Sequence, residues 1–437
     1  MPTINPPGTV IKNIVQLRDY LQVALKLEHA TIPPYLTAAY SAKVEANKPS
    51  IDIIRVVAKE EMLHLTLVAN LLNAIGGKPD LIAPDFVPLY PKPLPTGQTG
   101  FDVNIEKFSH HAIESFLKIE RPDPPNPEEE GLVRYEKTIA LDGKHIDPSL
   151  RESDNPFIPV TKVGDDKYEL HYHLAFIPHH KLSAERLEMA KSPFLPTLAA
   201  QDAGGNDIQL HYYSIGQFYK AISLGFVELS QSKDVGVKAL FTGDPRFQVG
   251  SKYFYSAGGE AIEVTDLKSA ISAIDLIAGQ GEGSRSRIYD DQNELAHYYR
   301  FDQIIKGQYY RVPDDYGNNG DVAGKPKGGK FPVDMDAVFP IRANIKIEAY
   351  KDHPQLEEYA LLFNGQYKRF LAKLNAAFNG RPDLLGAVFA AEMFQIKVAM
   401  ERLIRNPIPG TKENAAPTFE MNLFKYPPNA PGPAAAI

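Results

Sequence analysis

Glu60-Glu61-Met62-Leu63-His64, set in an apolar run, and Glu294-Leu295-Ala296-His297, far downstream, decide how this chain reads. Residues three apart on a helix share a face, so each Glu-x-x-His offers a carboxylate and an imidazole to one ion. With 27 Glu and 12 His among 437 residues, chance alone supplies about 0.7 such spacings, so placement must decide what the count does not. The helix around the first motif is expected over 51–74, capped by Ser50 and stopped by Gly76-Gly77, and it is apolar nearly all round. Its polar stripe is Arg55, Lys59, Thr66 and Asn70. Glu61 lies about 200° around from Lys59 and His64 about 140°, so both point inward. An unpaired carboxylate is costly there, and a metal ion would neutralise it.

Upstream, residues 13–45 predict a first helix, with Leu17, Leu21, Ala24, Leu25 and Glu28 on one face. Pro33-Pro34 predicts a kink or local unwinding just after Glu28. A third helix is expected over 215–231 and a fourth over 290–307, ended by Gly307, so that two helix pairs repeat weakly. The pattern is that of a carboxylate bundle: one Glu from each of two helices and a Glu-x-x-His from each of the other two. For the fourth carboxylate, Gln217 and Glu228 share a face of the third helix. Ser214-Ile-Gly-Gln217 makes a capping box that accounts for Gln217, and the repeat favours Glu228. The expected metal residues are therefore Glu28, Glu61, His64, Glu228, Glu294 and His297, with Glu61 and Glu294 bridging two ions. Iron suits mixed carboxylate and imidazole donors, and manganese or zinc also fits.

The other chemistry-bearing residues have plainer readings. Glu60 is about 100° off the ligand face and is expected behind a ligand or in a structural role. His29 is expected to be a packed or a surface histidine, and Tyr298 and Tyr299 to be core aromatics, although a tyrosine near a metal can donate hydrogen bonds or electrons. The pairs His110-His111, His171/His173 and His179-His180 lie in irregular stretches without carboxylate spacing. Gly281-Glu-Gly283 is expected as a tight turn before the fourth helix, and 128–130 as a solvated acidic loop.

Around these helices the chain predicts a mainly α protein: a first helix pair over 13–76, a crossover over 77–211, a second pair over 212–307 and a C-terminal helical extension over 340–420. The crossover is proline-rich, with a short helix near 112–119 and a strand at Lys167-Tyr-Glu-Leu-His-Tyr-His-Leu174 turned by Gly164-Asp-Asp166. Residues 241–263 read as loop and strand, 266–278 as a further helix, 317–329 as a glycine-rich loop, and 354–378 and 382–405 as helices before a Pro/Ala tail at 427–437. A net charge of −7 argues against a grip on nucleic acid or anionic lipid. The absence of cysteine excludes disulfides, cysteine-ligated iron–sulfur clusters, thiolate haem and cysteine nucleophiles. No run approaches the length of a membrane span, and the first residues lack a secretory pattern, so a cytoplasmic location is expected.

Several stretches resemble the ferritin-like family associated with iminophenyl-pyruvate dimer synthases of bis-indole pigment pathways. They are Leu27-Glu-His-Ala-Thr-Ile-Pro-Pro-Tyr35, Glu60-Glu-Met-Leu-His64 with Asn70-Leu-Leu-Asn-Ala-Ile-Gly-Gly77, Ser214-Ile-Gly-Gln-Phe-Tyr219, Gly279-Gln-Gly-Glu-Gly283, Glu294-Leu-Ala-His-Tyr-Tyr-Arg-Phe301 and Glu413-Asn-Ala-Ala-Pro-Thr-Phe-Glu420. The resemblance implies a ferritin-like helical bundle and a metal-dependent oxidative role on amino-acid-derived substrates in secondary metabolism. In that family the position of Gln217 is often Glu, so a ligand role there would make this site an altered one.

Together these readings give an expected function: a di-iron, O2-dependent oxidoreductase hydroxylating, desaturating or coupling a small substrate. The long crossover and the double proline favour a substrate pocket over storage, which a compact subunit serves. The alternatives are a non-catalytic ferritin-like metal-binding protein and a metal-free partner subunit whose polar cluster is an internal ion-pair network. A homo-oligomer or a biosynthetic partner enzyme is the expected company.

Overall fold

The computed structural model describes residues 10–95, 101–122, 132–144, 150, 158–178, 198–201, 207–232, 240–254, 258–282, 288–290, 294–311 and 325–421. The acidic run 128–130, His179-His180, residues 317–324 of the glycine-rich loop and the tail 427–437 lie outside them.

Helix α1 (Ile14–Ser41) starts on Asn13, whose side chain accepts from Gln16 N. It runs through Pro33 and Pro34 as one continuous helix, and the expected unwinding after Glu28 is absent. Pro34 cannot donate to the carbonyl four residues back, and the buried Tyr90 hydroxyl donates to that Ala30 oxygen instead at 2.8 Å. Helix α2 (Val44–Ala74) begins earlier than expected and bends at Asn47, whose backbone leaves helical geometry two residues before Pro49. Asn47 ties the bend to the C-terminal segment, donating to the carbonyls of Asp334 and Ala337 and accepting from Asp334 N. Ser50 is buried inside this helix and caps nothing. Gly76, at φ +68°, ends it with N–H bonds from Gly76 and Gly77 back to Asn73 and Leu72.

The crossover holds α3 (His110–Ile119), capped by Ser109, and an antiparallel sheet. Its central strand, β3 (Lys167–Pro178), pairs along its length with β1 (Val133–Asp142), from Asp142 opposite Lys167 to Val133 opposite Phe176. β2 (Val160–Gly164) pairs with the start of β3 across the expected turn, and β5 (Asp207–Tyr212) pairs with its end. β4 (Leu198–Gln201) completes the sheet on β5.

Helix α4 (Ile215–Gln231) packs on α1 and on the sheet, and α5 (Leu267–Glu282) packs on α4 and α2. The fourth long helix beside α1, α2 and α4 is therefore α5, opened by a reciprocal cap between Asp266 and Ser269. The expected fourth helix at 290–307 shrinks to α6 (His297–Lys306), which packs on α3, α2 and α5. Residues 288–290 and 294–296 pair with each other first: Tyr289 bridges Leu295, and Glu294 exchanges bonds with Asp290. A helix cannot begin until that ladder ends. Gly281 and Glu282 finish α5 rather than forming a turn, and the described part of 241–263 is loop with one 3-10 turn at Pro245–Phe247. α7 (Pro354–Phe378), the short α8 (Leu384–Ala387), a π turn at Val388–Glu392 and α9 (Met393–Ile404) follow, and they share one apolar core with the bundle. Among the described residues no helix is long and apolar enough to cross a membrane.

Candidate metal centre

Four of the six expected residues meet in the core: Glu28 from α1, Glu61 and His64 from α2, and His297 from the first turn of α6. A fifth, Glu120 from the C-cap of α3, joins them. They form two triads that share Glu61: Glu28, Glu61 and His64, and Glu61, Glu120 and His297, with the donor atoms of each triad within 4.8 Å of one another. All five are at most 4% exposed. The two imidazoles stack over Glu61 with ring centroids 5.5 Å apart.

The supporting contacts decide which nitrogen each histidine presents. Gln280, near the end of α5, donates its amide to Gly258 O at 2.5 Å. Its Oε1 must then face His64 Nε2, 2.9 Å away, and accept that proton. On the other side Glu60 accepts from His297 Nε2 at 2.9 Å and from Arg300 Nη1 at 2.8 Å. Both rings are thus pinned with Nδ1 toward the carboxylates, the arrangement in which a far-side acceptor fixes the tautomer of a metal-binding histidine. His64 Nδ1 lies 3.3 Å from Glu28 Oε2 and 3.6 Å from Glu61 Oε1. His297 Nδ1 lies 3.1 Å from Glu61 Oε1 and 3.5 Å from Glu120 Oε2, yet it is buried without a properly aligned hydrogen bond.

Each carboxylate has one hydroxyl donor at its outer edge. Tyr219 of α4 donates to Glu28, Thr31 to Glu61 at 2.8 Å, and Tyr35 to Glu120. Burial pushes the Glu28 carboxyl up to about 7, against the pull of His64. Burial also raises Glu120, helped by the charge of Glu61. For Glu61 burial works the same way, but the imidazoles of His297 and His64 outweigh it and hold its carboxyl well below the usual range. Burial disfavours charge on His64, yet Glu28 and Glu61 overcome it and lift the imidazole to about 10. Burial opposes charge on His297 too, and Glu120, Glu60 and Glu61 overcome it and raise the imidazole well above its usual value. Without an ion, protons hold this cluster together.

Glu228 and Glu294 are not brought in. Glu228 ends α4's outer face and pairs with Lys137 of β1. Gln217 shares that face as expected, but the face looks at the sheet: Gln217 accepts from Ala175 N at 2.8 Å, while Ser214 accepts from Gln217 N. Tyr219, about 200° around from Gln217, takes the inward position. Glu294 precedes its helix, has a side chain 54% exposed and pairs with Arg300 Nη2 at 2.8 Å. Glu120 carried one sequence signal that the spacing argument passed over. An acid at a helix C-terminus opposes the helix dipole and needs another reason to be there.

The remaining histidines take other roles. His29 is buried against Phe86 and bonds Tyr367 through Nε2 at 2.8 Å, with burial pushing its pKa down to about 3. His111 and His171 are surface residues beside Glu106 and Glu169. Among the described residues only the two triads offer three grouped donors. A buried, unbonded Nδ1 aimed at shared carboxylates, with the opposite nitrogen pinned, fits a pair of divalent ions bound by mixed oxygen and nitrogen donors.

Comparison with known proteins adds lineage to this geometry. The family model described as Ferritin-like matches residues 21–306, more than half of the chain. Dichlorochromopyrrolate synthase of Lentzea aerocolonigenes is 22% identical over 388 residues, covering 84% of this chain and 29% of that protein. The chain thus spans less than a third of that relative's length. The crystal structure of a ferritin-like protein from Caulobacter vibrioides aligns over 93% of this chain and 98% of that one, with 18% identity and a TM-score of 0.49.

Proposed function

The chain belongs to the ferritin-like family, and from that premise we propose that it is a di-iron, O2-dependent oxidoreductase acting on a small amino-acid-derived substrate in a biosynthetic pathway. The observation that carries the proposal is the pair of triads sharing Glu61, with His297 Nδ1 buried and unbonded between them. Glu28, Glu61 and His64 would hold one ion, and Glu61, Glu120 and His297 the other. Two ferrous ions bound there would supply the electrons that reduce dioxygen while the substrate is oxidised. Manganese or zinc is compatible with the same donors, and only a redox metal serves the reaction.

The chain's own residues prepare that chemistry. Gln280 and Glu60 hold both imidazoles with Nδ1 inward, so the rings need not turn when an ion arrives. Tyr219, Thr31 and Tyr35 each occupy one oxygen of a carboxylate and steady it. Glu28, lifted toward neutrality, can hold a proton at its carboxyl and release it at an ordinary pH. The apolar core of the bundle excludes bulk water from these groups. Kinship with an enzyme named for making dichlorochromopyrrolate supports a biosynthetic substrate rather than stored mineral. Dioxygen and the substrate are the proposed partners, with a second copy of the chain or a pathway enzyme beside it.

The test is the metal content of protein produced in iron-supplemented medium, with Glu61→Ala beside it. About two irons per chain, lost in the variant, support the site and justify following oxygen uptake with amino-acid-derived substrates. Protein that stays metal-free after anaerobic reconstitution with ferrous iron leaves the ion-pair network as the cluster's whole role.

A further inference from the structure

Against the two helices that carry Glu28 and Glu61 lies a bowl of about 340 Å³, open to solvent. Its floor is Ile32 and Leu36 of α1 with Ala58 of α2, and its far wall is Phe389 of the π turn with Met393 of α9. Ile32 is one turn beyond Glu28 and Ala58 nearly one turn before Glu61, so the floor lies along the same helix pair, about one turn away from the triad residues. Tyr40, Phe394 and three cations, Arg55, Lys59 and Lys397, complete the lining, and no acid does. We propose that this bowl is a binding site for a small organic carboxylate with an apolar body.

The charges are arranged for a guest. Arg55 and Lys59 have no hydrogen-bond or ion-pair partner among the described residues. Lys397 is only loosely held, 3.8 Å from Glu401, which also faces Arg405 at 3.4 Å. A neighbouring cavity of about 280 Å³ shares Tyr40, Arg55 and Lys397, so two of the three cations stand on the ridge between the two hollows. In a chain of net charge −7, three clustered cations around one apolar surface favour an anion there. Phe394, also in the lining, is 62% exposed and adds apolar surface beside the cations.

The lining also selects the anion. Every backbone amide of the floor lies inside α1 or α2 and is spent on the helix, so no amide cradle for a phosphate exists there. What remains are the ammonium groups of Lys59 and Lys397, the Tyr40 hydroxyl and the planar fork of Arg55, which takes a carboxylate with two parallel bonds. Three aliphatic side chains below, a thioether and an aromatic wall take a flat ring or a short alkyl chain. The proposal does not rest on the oxidative reading, because the bowl touches none of the triad residues.

Isothermal titration of the full, metal-free chain with 2-naphthoate, octanoate and the neutral 2-naphthamide tests it. At least one of the two acids binds, and the matching neutral amide binds about tenfold more weakly than naphthoate if the ring is the preferred body. Tighter binding of naphthoate assigns an aryl guest, and tighter binding of octanoate an alkyl one. Arg55→Gln, a change at an exposed side chain, weakens the acid about tenfold, and Ala58→Leu, which fills the floor, removes binding. No binding of either acid at about 1 mM overturns the proposal. Acid affinity that survives Arg55→Gln overturns it equally. Measuring without metal keeps this result separate from failure of the iron site.

Discussion

Metal binding to the Glu28, Glu61 and His64 triad should depend on pH with a slope that changes near neutrality. His64, lifted to about 10, carries a proton on the Nδ1 that faces the carboxylates, and Glu28, lifted to about 7, carries another at lower pH. Glu61 is already ionised across this range, because its imidazole neighbours hold its carboxyl far down. An incoming ion must displace both protons below pH 7 and only the His64 proton between 7 and 10. The logarithm of the association constant therefore rises by about two per pH unit below neutrality and by about one above it. Because Glu28 is half-titrated at pH 7, affinity gains about fiftyfold from pH 6 to 7 and about twentyfold from pH 7 to 8. The second triad follows the same sign, since Glu120 and His297 are both raised. Anaerobic cobalt(II) titration against a competing chelator reads the slope, and cobalt's visible bands report imidazole ligation. Glu28→Gln removes one titrating donor and should flatten the low-pH limb for the first ion to a slope of about one, while Glu228→Gln should change nothing. A flat profile below neutrality in the unmodified protein would refute the reasoning, because ions would then be entering without meeting these protons.

Glu120→Ala should lower iron content from about two per chain to about one, while Glu228→Ala and Glu294→Ala leave it unchanged; equal losses in all three would mean the triads are misassigned. Gln280→Leu strips the acceptor from His64 Nε2 and should weaken metal binding about 10- to 100-fold, with Gln280→Glu restoring it, as competition titration would show. The metal-free protein should lose thermal stability as pH rises through about 7 and then about 10, since Glu28 and His64 stabilise the fold in their protonated forms, which is fully so only below their unfolded values. The loaded protein should not, and melting curves across that range compare the two. Tyr90→Phe leaves the Ala30 carbonyl without its donor beside Pro34 and should cost about 1–2 kcal/mol in denaturant unfolding.

Helix-period reasoning located α1, α2, α3, α4, α7 and the start of β3, because those segments carry long apolar stripes and clear stops. It placed Glu28, Glu61 and His64 together for the same reason: all three sit well inside long helices, where about 100° per residue converts spacing into direction. The method failed where a residue's direction is set by something other than its own helix. Glu294 and His297 are three apart, but the ladder between Tyr289 and Leu295 holds Glu294 outside the helix, and only His297 inherits an inward direction. Glu228 and Gln217 do share a face, and the sheet, whose position no local pattern encodes, claims it. The double proline misled in the opposite way, since a tyrosine more than fifty residues away repairs the helix.

The substitution of Glu120 for the expected bundle glutamate has a structural consequence. The fourth long helix, α5, reaches the cluster with an amide, Gln280, and the carboxylate and second imidazole come from α3 and α6, two ten-residue helices packed on one another. Two of the three donors of the second triad therefore depend on how these two short helices dock rather than on the four long ones. Tyr35 ties Glu120 to α1, and Arg300 ties α6 to Glu60 on α2, so the docking is fixed by polar contacts at the site itself. A buried charge deprived of one partner costs several kcal/mol, which makes these ties mutually dependent. Loss of the ion from the second triad should loosen α3 and α6 before it loosens α1 and α2. Amide exchange on loaded and stripped protein distinguishes the two: protection should fall first at 110–119 and 297–306, and a uniform fall across all helices would show that the bundle, not the crossover, carries the second site.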